Sequence, residues 1–391
     1  MPPPPKVALL IETSNAYARG LLQGVQRWIR ENRPWSIYLA EHGRGDVPPA
    51  WLENWDGDGI IARIENPSTA QALSRLKLPI VDMSAARLLP QLPQCETDDA
   101  GIAQLAASHL LERGFRSFGY CGDSRFAWSE LRRDTFFKAI AAAGHPVSNF
   151  ESPGRQDADD DALTDTIGKW LAPLPRPTAI FACYDLRGRQ VLDACRRLDI
   201  AVPDEVAVLG VDNDEVLCNL AHPPLSSVIP NTMRTGYEAA ALLDRMMSGK
   251  PVGPEEHLMP PIGIATRQST DVLAVEDKPV ARAVRYIRGH ACGGICVDDV
   301  VRDSGLSRRL LETRFKRALG RSPHEEIVRV QILRVKELLA ETDLPLAEIA
   351  ERAGFNYVEY LSAVFKSKVG MPPGAYRNEQ RPRSPGAPRR R

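Results

Sequence analysis

The chain has 391 residues, too many for one ordinary core, so two or more domains are expected. Hydrophobic residues make up 43% and charged residues 26%, a soluble globular balance, and no apolar run approaches the roughly 18 residues of a membrane span. The formal net charge is zero, yet residues 279–391 hold 22 basic against 13 acidic side chains, so an acidic body carries a basic end suited to a polyanion.

In chain order, MPPPP reads as a disordered start over 1–5, and KVALLIE as a buried strand from Lys6. No basic stretch precedes a long apolar one here, so a secretory signal is not expected and the cytoplasm is the expected compartment. Amphipathic ARGLLQGVQRWIREN follows, and apolar runs then alternate with helical patterns: WSIYLAEH, GDGIIARI, LPIVDM, FRSFGYCG, PTAIFACYD and EVAVLGVD. Such alternation predicts parallel sheets covered by helices on both faces. It places Asp82, Asp185 and Asp212 at carboxyl ends of strands, where ligands bind in open α/β sheets.

Several of these segments, with TDDAGIAQLAASHLLERG, LSSV and the closing Arg267-Gln-Ser-Thr270, resemble the sensing core of LacI-type repressors and periplasmic sugar-binding proteins. The resemblance covers about 260 residues and implies a two-lobed α/β, periplasmic-binding-protein-like sensor over 6–271, with three crossing segments and a sugar in the cleft. A sugar is a ring of hydroxyls with apolar faces, suited to Asp, Asn and Arg set between aromatic rings. Asp212, ending a strand in GVDND, is the expected hydroxyl acceptor. Arg132 matches the family's sugar-clamping arginine, with Arg133 as the alternative. Asn15 and Tyr17 lie in the turn after the first strand, where the family places a polar contact and an aromatic wall. Tyr184 is expected to line the pocket, Trp128 to stack on sugar or pack within its lobe, and Asp185 to bind ligand or cap a helix. Pro230 stands where sugar-binding relatives often carry a contacting Gln, which removes two donors and an acceptor.

Composition shifts over 272–280, the expected linker, and from Ala281 the pattern becomes purely helical. VDDVVRDSGLSRRLLETRFKRALG and LAEIAERAGFNYVEYLSAVFKSKVG repeat one plan at offsets of 49 and then 50 residues. Gly305 and Gly354 mark the turns, because glycine tolerates positive φ. Ser307 and Asn356 are the expected caps of the helices that follow, and the extra residue is expected at the start of the second of these. The connector from Ser322 predicts a helix of about six turns. The double unit over 281–378, ending in Gly354-Phe355, Phe365-Lys366, Gly370, Pro372 and Tyr376-Arg377, resembles the AraC-type double helix-turn-helix domain. Gln331 and Val335 depart from that family's usual Arg and Ala. The resemblance implies that two recognition helices enter the major groove of an operator DNA. The first offers Ser307, Arg308, Arg309, Glu312 and Thr313, and the second Tyr357, Glu359 and Tyr360. Lys316, Arg317, Lys366 and Lys368 suit phosphates. A solvated charge is the alternative for each charged side chain, and a within-helix pair for Glu312 and Glu359. The basic, proline-rich 379–391 reads as a disordered tail.

Together the two modules resemble sugar-responsive regulators of pentose use. They imply a transcription activator with D-xylose as its effector, or alternatively another sugar or polyol, a homodimer through the sensor and RNA polymerase as its target. An enzyme is disfavoured: there is no Gly-rich phosphate loop, no Gly-x-Ser-x-Gly, and HEEIV at 324–328 lacks the second zinc-binding histidine. A transport binding protein would lack the basic helical end. Cys292 and Cys296 are the only close cysteine pair, no second pair follows at zinc spacing, and all seven cysteines are expected to stay reduced. No motif implies a metal or cofactor.

Overall fold

A computed structural model describes residues 3–41, 43, 46, 48–152, 160–271, 277–342 and 344–380. Most of the expected linker (272–276), the basic tail from 381, and Met1 and Pro2 of the expected disordered start lie outside the described residues. The chain divides into two compact units, Met1–Ala274 and Val275–Arg391.

In the first unit the elements run β1 (Lys6–Leu10), α1 (Ala16–Glu31), β2 (Ser36–Leu39), β3 (Gly59–Ala62), α2 (Pro67–Ser74), β4 (Ile80–Asp82) and β5 (Gln94–Thr97). They continue α3 (Asp99–Glu112), β6 (Phe118–Asp123), α4 (Ala127–Ala142), β7 (Val147–Ser152), α5 (Asp160–Leu171), β8 (Thr178–Ala182), α6 (Asp185–Arg197) and β9 (Val206–Val211). Then come α7 (Glu215–Leu220), β10 (Ser226–Ile229), α8 (Thr232–Met247), β11 (Glu256–Met259) and β12 (Gly263–Ala265). Two six-stranded sheets result, ordered β11-β5-β4-β3-β1-β2 and β12-β10-β9-β8-β6-β7, parallel except where β12 meets β10. The chain passes between them after β5, after β10 and after β11, which gives the three crossings expected of a two-lobed sensor. Each sheet carries a hydrophobic cluster on either face. The apolar strands β1, β3, β8 and β9 are continuous runs because both their faces are covered.

In the first lobe α1 lies directly against α8. A Cβ on Gly24 would stand 2.1 Å from the carbonyl oxygen of Met233, and one on Gly236 1.9 Å from that of Leu21. Only glycine lets these two backbones meet.

The second unit is all helix: α9 (Lys278–His290), α10 (Val297–Ser304), α11 (Arg308–Leu319), α12 (Pro323–Glu341), α13 (Leu346–Arg352), α14 (Val358–Val369) and α15 (Pro373–Gln380). The connecting helix α12 starts in a capping box, with the Ser322 hydroxyl accepting from the Glu325 N–H at 3.2 Å and the Glu325 carboxylate accepting from the Ser322 N–H at 2.7 Å. Its 19 residues make about five turns rather than six, because Thr342 takes an extended conformation and ends it.

Two expectations about the second motif need correction. Its recognition helix is capped by Tyr357, not Asn356, and the extra residue lengthens the turn instead of starting the helix. The first motif needs only Gly305, Leu306 and Ser307 between its helices, whereas the second uses Ala353 to Tyr357. Ser307 is the N-cap of α11, but its side chain makes no cap hydrogen bond.

Glu326 of α12 has no exposed surface, and its carboxylate takes Arg329 at 2.7 and 2.9 Å, with Arg321 bonded beside it and Arg288 of α9 at 4.0 Å. Burial opposes its charge, but these guanidinium groups prevail and hold the carboxyl down at about 2. A depressed acid stabilises the fold above its unfolded value and loses that contribution as pH falls toward 2. The shift amounts to about 3 kcal/mol. Glu326→Gln should therefore destabilise the helical unit by roughly 2–3 kcal/mol at pH 7 and by little near pH 2. Every tryptophan lies in the first unit, so the loss should appear in far-UV circular dichroism without a matching change in tryptophan fluorescence.

Candidate ligand cleft and nucleic-acid interface

The cleft between the two lobes gathers all seven residues expected there. Tyr17, Arg63 and Glu96 from the first lobe face Asp99, Trp128, Arg132 and Asp212 from the second, across a narrow charged floor. A wider mouth is lined by Ser14, Asn15, Arg125, Phe126, Tyr184, Asp185, Asp212 and Asp214, with Leu186 and Leu217. Asp212 belongs to both.

Asn15 caps α1: its Oδ1 accepts from the Ala18 N–H at 2.8 Å, while its buried Nδ2 has no partner among the described residues. Tyr17 therefore sits in the first turn of α1 and not in a loop. Its hydroxyl donates to Glu96 and lies 3.0 Å from the Thr97 hydroxyl, and the Arg63 guanidinium rests 5.0 Å from its ring centroid. Burial and the Glu96 carboxyl push the phenol well above its usual range.

Arg132 is buried and donates to Asp99 at 2.7 Å and to the Cys183 carbonyl at 2.6 Å, while its guanidinium lies 4.9 Å from the Trp128 ring centroid. Arg133 points elsewhere, to Asp134 at 2.9 Å and Glu151 at 3.3 Å, so Arg132 is the arginine that reaches the cleft. Trp128 takes the lobe-packing role. It stacks on Phe126 at 5.0 Å and meets Tyr184 edge-on at 5.7 Å, yet still lines the floor.

Both oxygens of Asp185 are used within the protein. One accepts from Ser227 at 2.6 Å and the other from the Asp214 N–H at 2.8 Å. This carboxylate pins the loop that carries Asp212, whose φ of +109° is followed by +49° at Asn213. Two consecutive non-glycine residues at positive φ are costly, and the loop is held there from three sides. Besides Asp185, Ser227 accepts from the Asn213 N–H at 3.0 Å, and Arg267 donates to the Asn213 side chain at 2.9 Å.

Arg63, Glu96 and Asp99 were not expected. Arg63 directly follows the apolar strand GIIA, a charge where a strand passes into a cleft. Glu96 sits in β5, QCET, which is wholly buried but too polar to read as a strand. Glu96 is pushed up to about 8, chiefly by burial and only partly offset by Arg63, so it is protonated at neutral pH. Its Oε1 takes the Tyr17 hydroxyl and the Thr97 N–H, and its Oε2 has no partner among the described residues. That oxygen is available to donate.

In the helical unit every residue expected to meet DNA is exposed: Ser307, Arg308, Arg309, Glu312, Thr313, Lys316, Arg317, Tyr357, Glu359, Tyr360, Lys366 and Lys368. Leu311, Phe315 and Leu319 turn inward from α11, and Leu361 and Phe365 from α14. Arg308 is engaged by Asp298 at 3.0 Å and Glu312 at 3.3 Å, and the Thr313 hydroxyl donates back to the Arg309 carbonyl at 2.8 Å. Tyr357 and Tyr360 are 71% and 50% exposed, unusual for aromatic rings with no partner surface.

A two-lobed sensor joined to a double helix-turn-helix defines a ligand-responsive, DNA-binding transcription regulator. Comparison with known proteins agrees. Residues 6–99 match the XylR N-terminal domain, 107–270 a periplasmic binding protein-like domain and 300–379 a helix-turn-helix domain. The chain is 33% identical over 382 residues to the xylose operon regulatory protein of Haemophilus influenzae, covering 95% of this chain and 98% of that one. It is 31% identical over 381 residues to the Escherichia coli K12 protein of the same name, covering 95% and 97%. A solved structure of the xylose-binding transcription activator XylR superposes with a TM-score of 0.77 at 30% identity, over 97% of this chain and 99% of that one. The chain belongs to the xylose operon regulatory protein family.

Two outcomes follow from the sensor's buried charges. Arg132→Met leaves Asp99 buried beside an apolar side chain and should cost the sensor roughly 3 kcal/mol, while Arg133→Met should stay within about 1 kcal/mol, read by urea unfolding on tryptophan fluorescence. Glu96 at about 8 and Asp82, raised by burial to about 7, keep more protons in the folded than in the unfolded chain. Stability they contribute is full below their unfolded values and is lost as pH rises through 7 and 8. The sensor should melt at a lower temperature at pH 8.5 than at pH 5.5.

Proposed function

We propose that this protein is a cytoplasmic activator of genes for D-xylose use, which binds the sugar between its lobes and acts as a homodimer on operator DNA and RNA polymerase. The convergence of Asn15, Tyr17, Trp128, Arg132, Tyr184, Asp185 and Asp212 on one cleft carries the reading. It does so in a chain similar along its length to proteins named for xylose operons.

The chemistry of the cleft suits an uncharged polyol. Asp99 and Asp212 face Arg63 and Arg132 across the floor, while Asp185 and Asp214 add carboxylates at the mouth. An anionic ligand would find Arg63, Arg125 and Arg132 already paired with carboxylates, whereas hydroxyl hydrogens find acceptors and ring oxygens find the Asn15 amide, protonated Glu96 and the arginines. Phe126, Trp128 and Tyr184 supply apolar faces for the C–H side of a sugar ring. A sugar held by both lobes favours the closed sensor, and the energy of closure is available to move the DNA-binding units of a dimer.

D-xylose at 100 times its dissociation constant should add about 2.7 kcal/mol to the sensor, seen as a rise in melting temperature. Sugar acids of the same chain length should give no rise. If no pentose shifts melting or alters DNA binding, the reading fails. On DNA, the first recognition helix should dominate, since an arginine can grip guanine bidentately for about 1–3 kcal/mol. In gel shifts with DNA upstream of xylose genes, Arg308→Ala should weaken binding more than Tyr357→Ala, and the reverse order would count against this assignment.

A further inference from the structure

The two helix-turn-helix motifs pack chiefly through shared helices: α10 and α11 lie on α9 and α12, and α13 and α14 on α12 and α15. Gln331 makes a polar bridge between them. Gln331, in the middle of α12 and only 6% exposed, donates its amide N–H groups to the Ala291 carbonyl at 3.1 Å and the Gly354 carbonyl at 2.9 Å. Ala291 belongs to the short turn between α9 and α10 that leads into the first motif. Gly354 is the turn of the second. A single carboxamide thus ties segments 40 and 23 residues away from it in the chain.

Gly354 supplies an independent observation at the same place. Its φ is +78°, and a Cβ built on it would stand 2.6 Å from the Ala291 oxygen and 2.9 Å from the Cys292 carbonyl carbon. The second turn is therefore pressed backbone to backbone against the approach to the first motif. The close contact exists only because residue 354 has no side chain, and Gln331 bonds both of its walls.

We propose that Gln331, with Gly354, is the positioning residue that fixes the spacing of the two recognition helices, so that both engage one stretch of DNA together. The inference rests on the reading that both helices bind DNA. Successive major-groove faces of one duplex lie one helical turn apart, and two helices on a loosely joined support would reach them only part of the time. Two linked contacts on one duplex gain affinity from their effective concentration, which falls when the link lengthens or loosens. Since both partners of Gln331 are carbonyls, the position needs donors and no acceptor.

The test uses the full chain and duplexes selected from a random library by the unmodified protein, with shortened versions that keep one half of the protected region. Gln331→Leu should lose about tenfold or more in affinity for the two-part duplex. Its affinity for the one-part duplex should change by less than about twofold, and the salt dependence of two-part binding should fall toward that of the one-part duplex. Gln331→Glu, which turns acceptors on two carbonyls, should lose as much, and Gly354→Ala should move in the same direction. Gln331→Arg, a donor-only side chain, should recover most of the two-part affinity. Equal losses on both duplexes, together with loss of helical dichroism, would show a general folding role and overturn the proposal. Unchanged two-part affinity in Gln331→Leu would overturn it as well. Failure of the unmodified protein to select any DNA would instead defeat the underlying DNA-binding reading.

Discussion

Charge held out of water is the constraint on which the sensor is built. Arg63 and Arg132 are both nearly inaccessible to solvent, and each survives there because carboxylates of its own lobe pair with it, Glu12 and Glu65 with Arg63 and Asp99 with Arg132. The first of the three crossings between the sheets brings Glu96 and Asp99 to the joint between the lobes. Desolvation then does chemical work: Glu96 keeps its proton, and Asp185 is raised by burial and by its neighbour Asp212. The cleft becomes a place where donors and acceptors are fixed before any ligand arrives.

The same logic, with different groups, holds the DNA-binding unit together. Glu326 gathers Arg288, Arg321 and Arg329 at the start of α12, and Gln331 ties two backbone turns a little over one helical turn further on. Hydrophobic packing of α12 against α13 and α14 forms the core of the second motif, through Val335, Leu338, Ile349, Leu361 and Phe365. Apolar surface can slide, whereas a carboxylate or an amide bound to fixed partners sets register.

Much of this was legible in the sequence. Alternating apolar runs foretold the parallel sheets, and two glycine-marked repeats foretold the helical unit and its turns. Of the carboxylates nominated at strand ends, Asp185 and Asp212 reached the cleft, whereas Asp82 is buried and bonded to the Ser84 N–H and hydroxyl. Glu96 escaped because a strand spelled QCET has no hydrophobic signature, although all four residues are buried. The exclusive use of Asp185 within the protein depends on Ser227 and on the Asp214 backbone, partners remote in the chain. Asn356 was mistaken for a cap because the longer turn of the second motif is invisible to a one-residue offset. Gln331 looked like a departure in packing, and its two carbonyl partners emerge only when the chain is folded.

Arg308 sits at the tip of the first recognition helix with Asp298 and Glu312 already at its guanidinium. Any DNA that claims this arginine must draw it away from two carboxylates and leave them beside a polyanion. A lone phosphate offers a poor exchange, because one charge replaces two and the abandoned acids repel the backbone. A guanine edge that takes the whole guanidinium fork offers a better one. In the proposed DNA-reading role of Arg308, its acidic neighbours would lower its attraction to DNA in general and widen the gap between a random stretch and the right one.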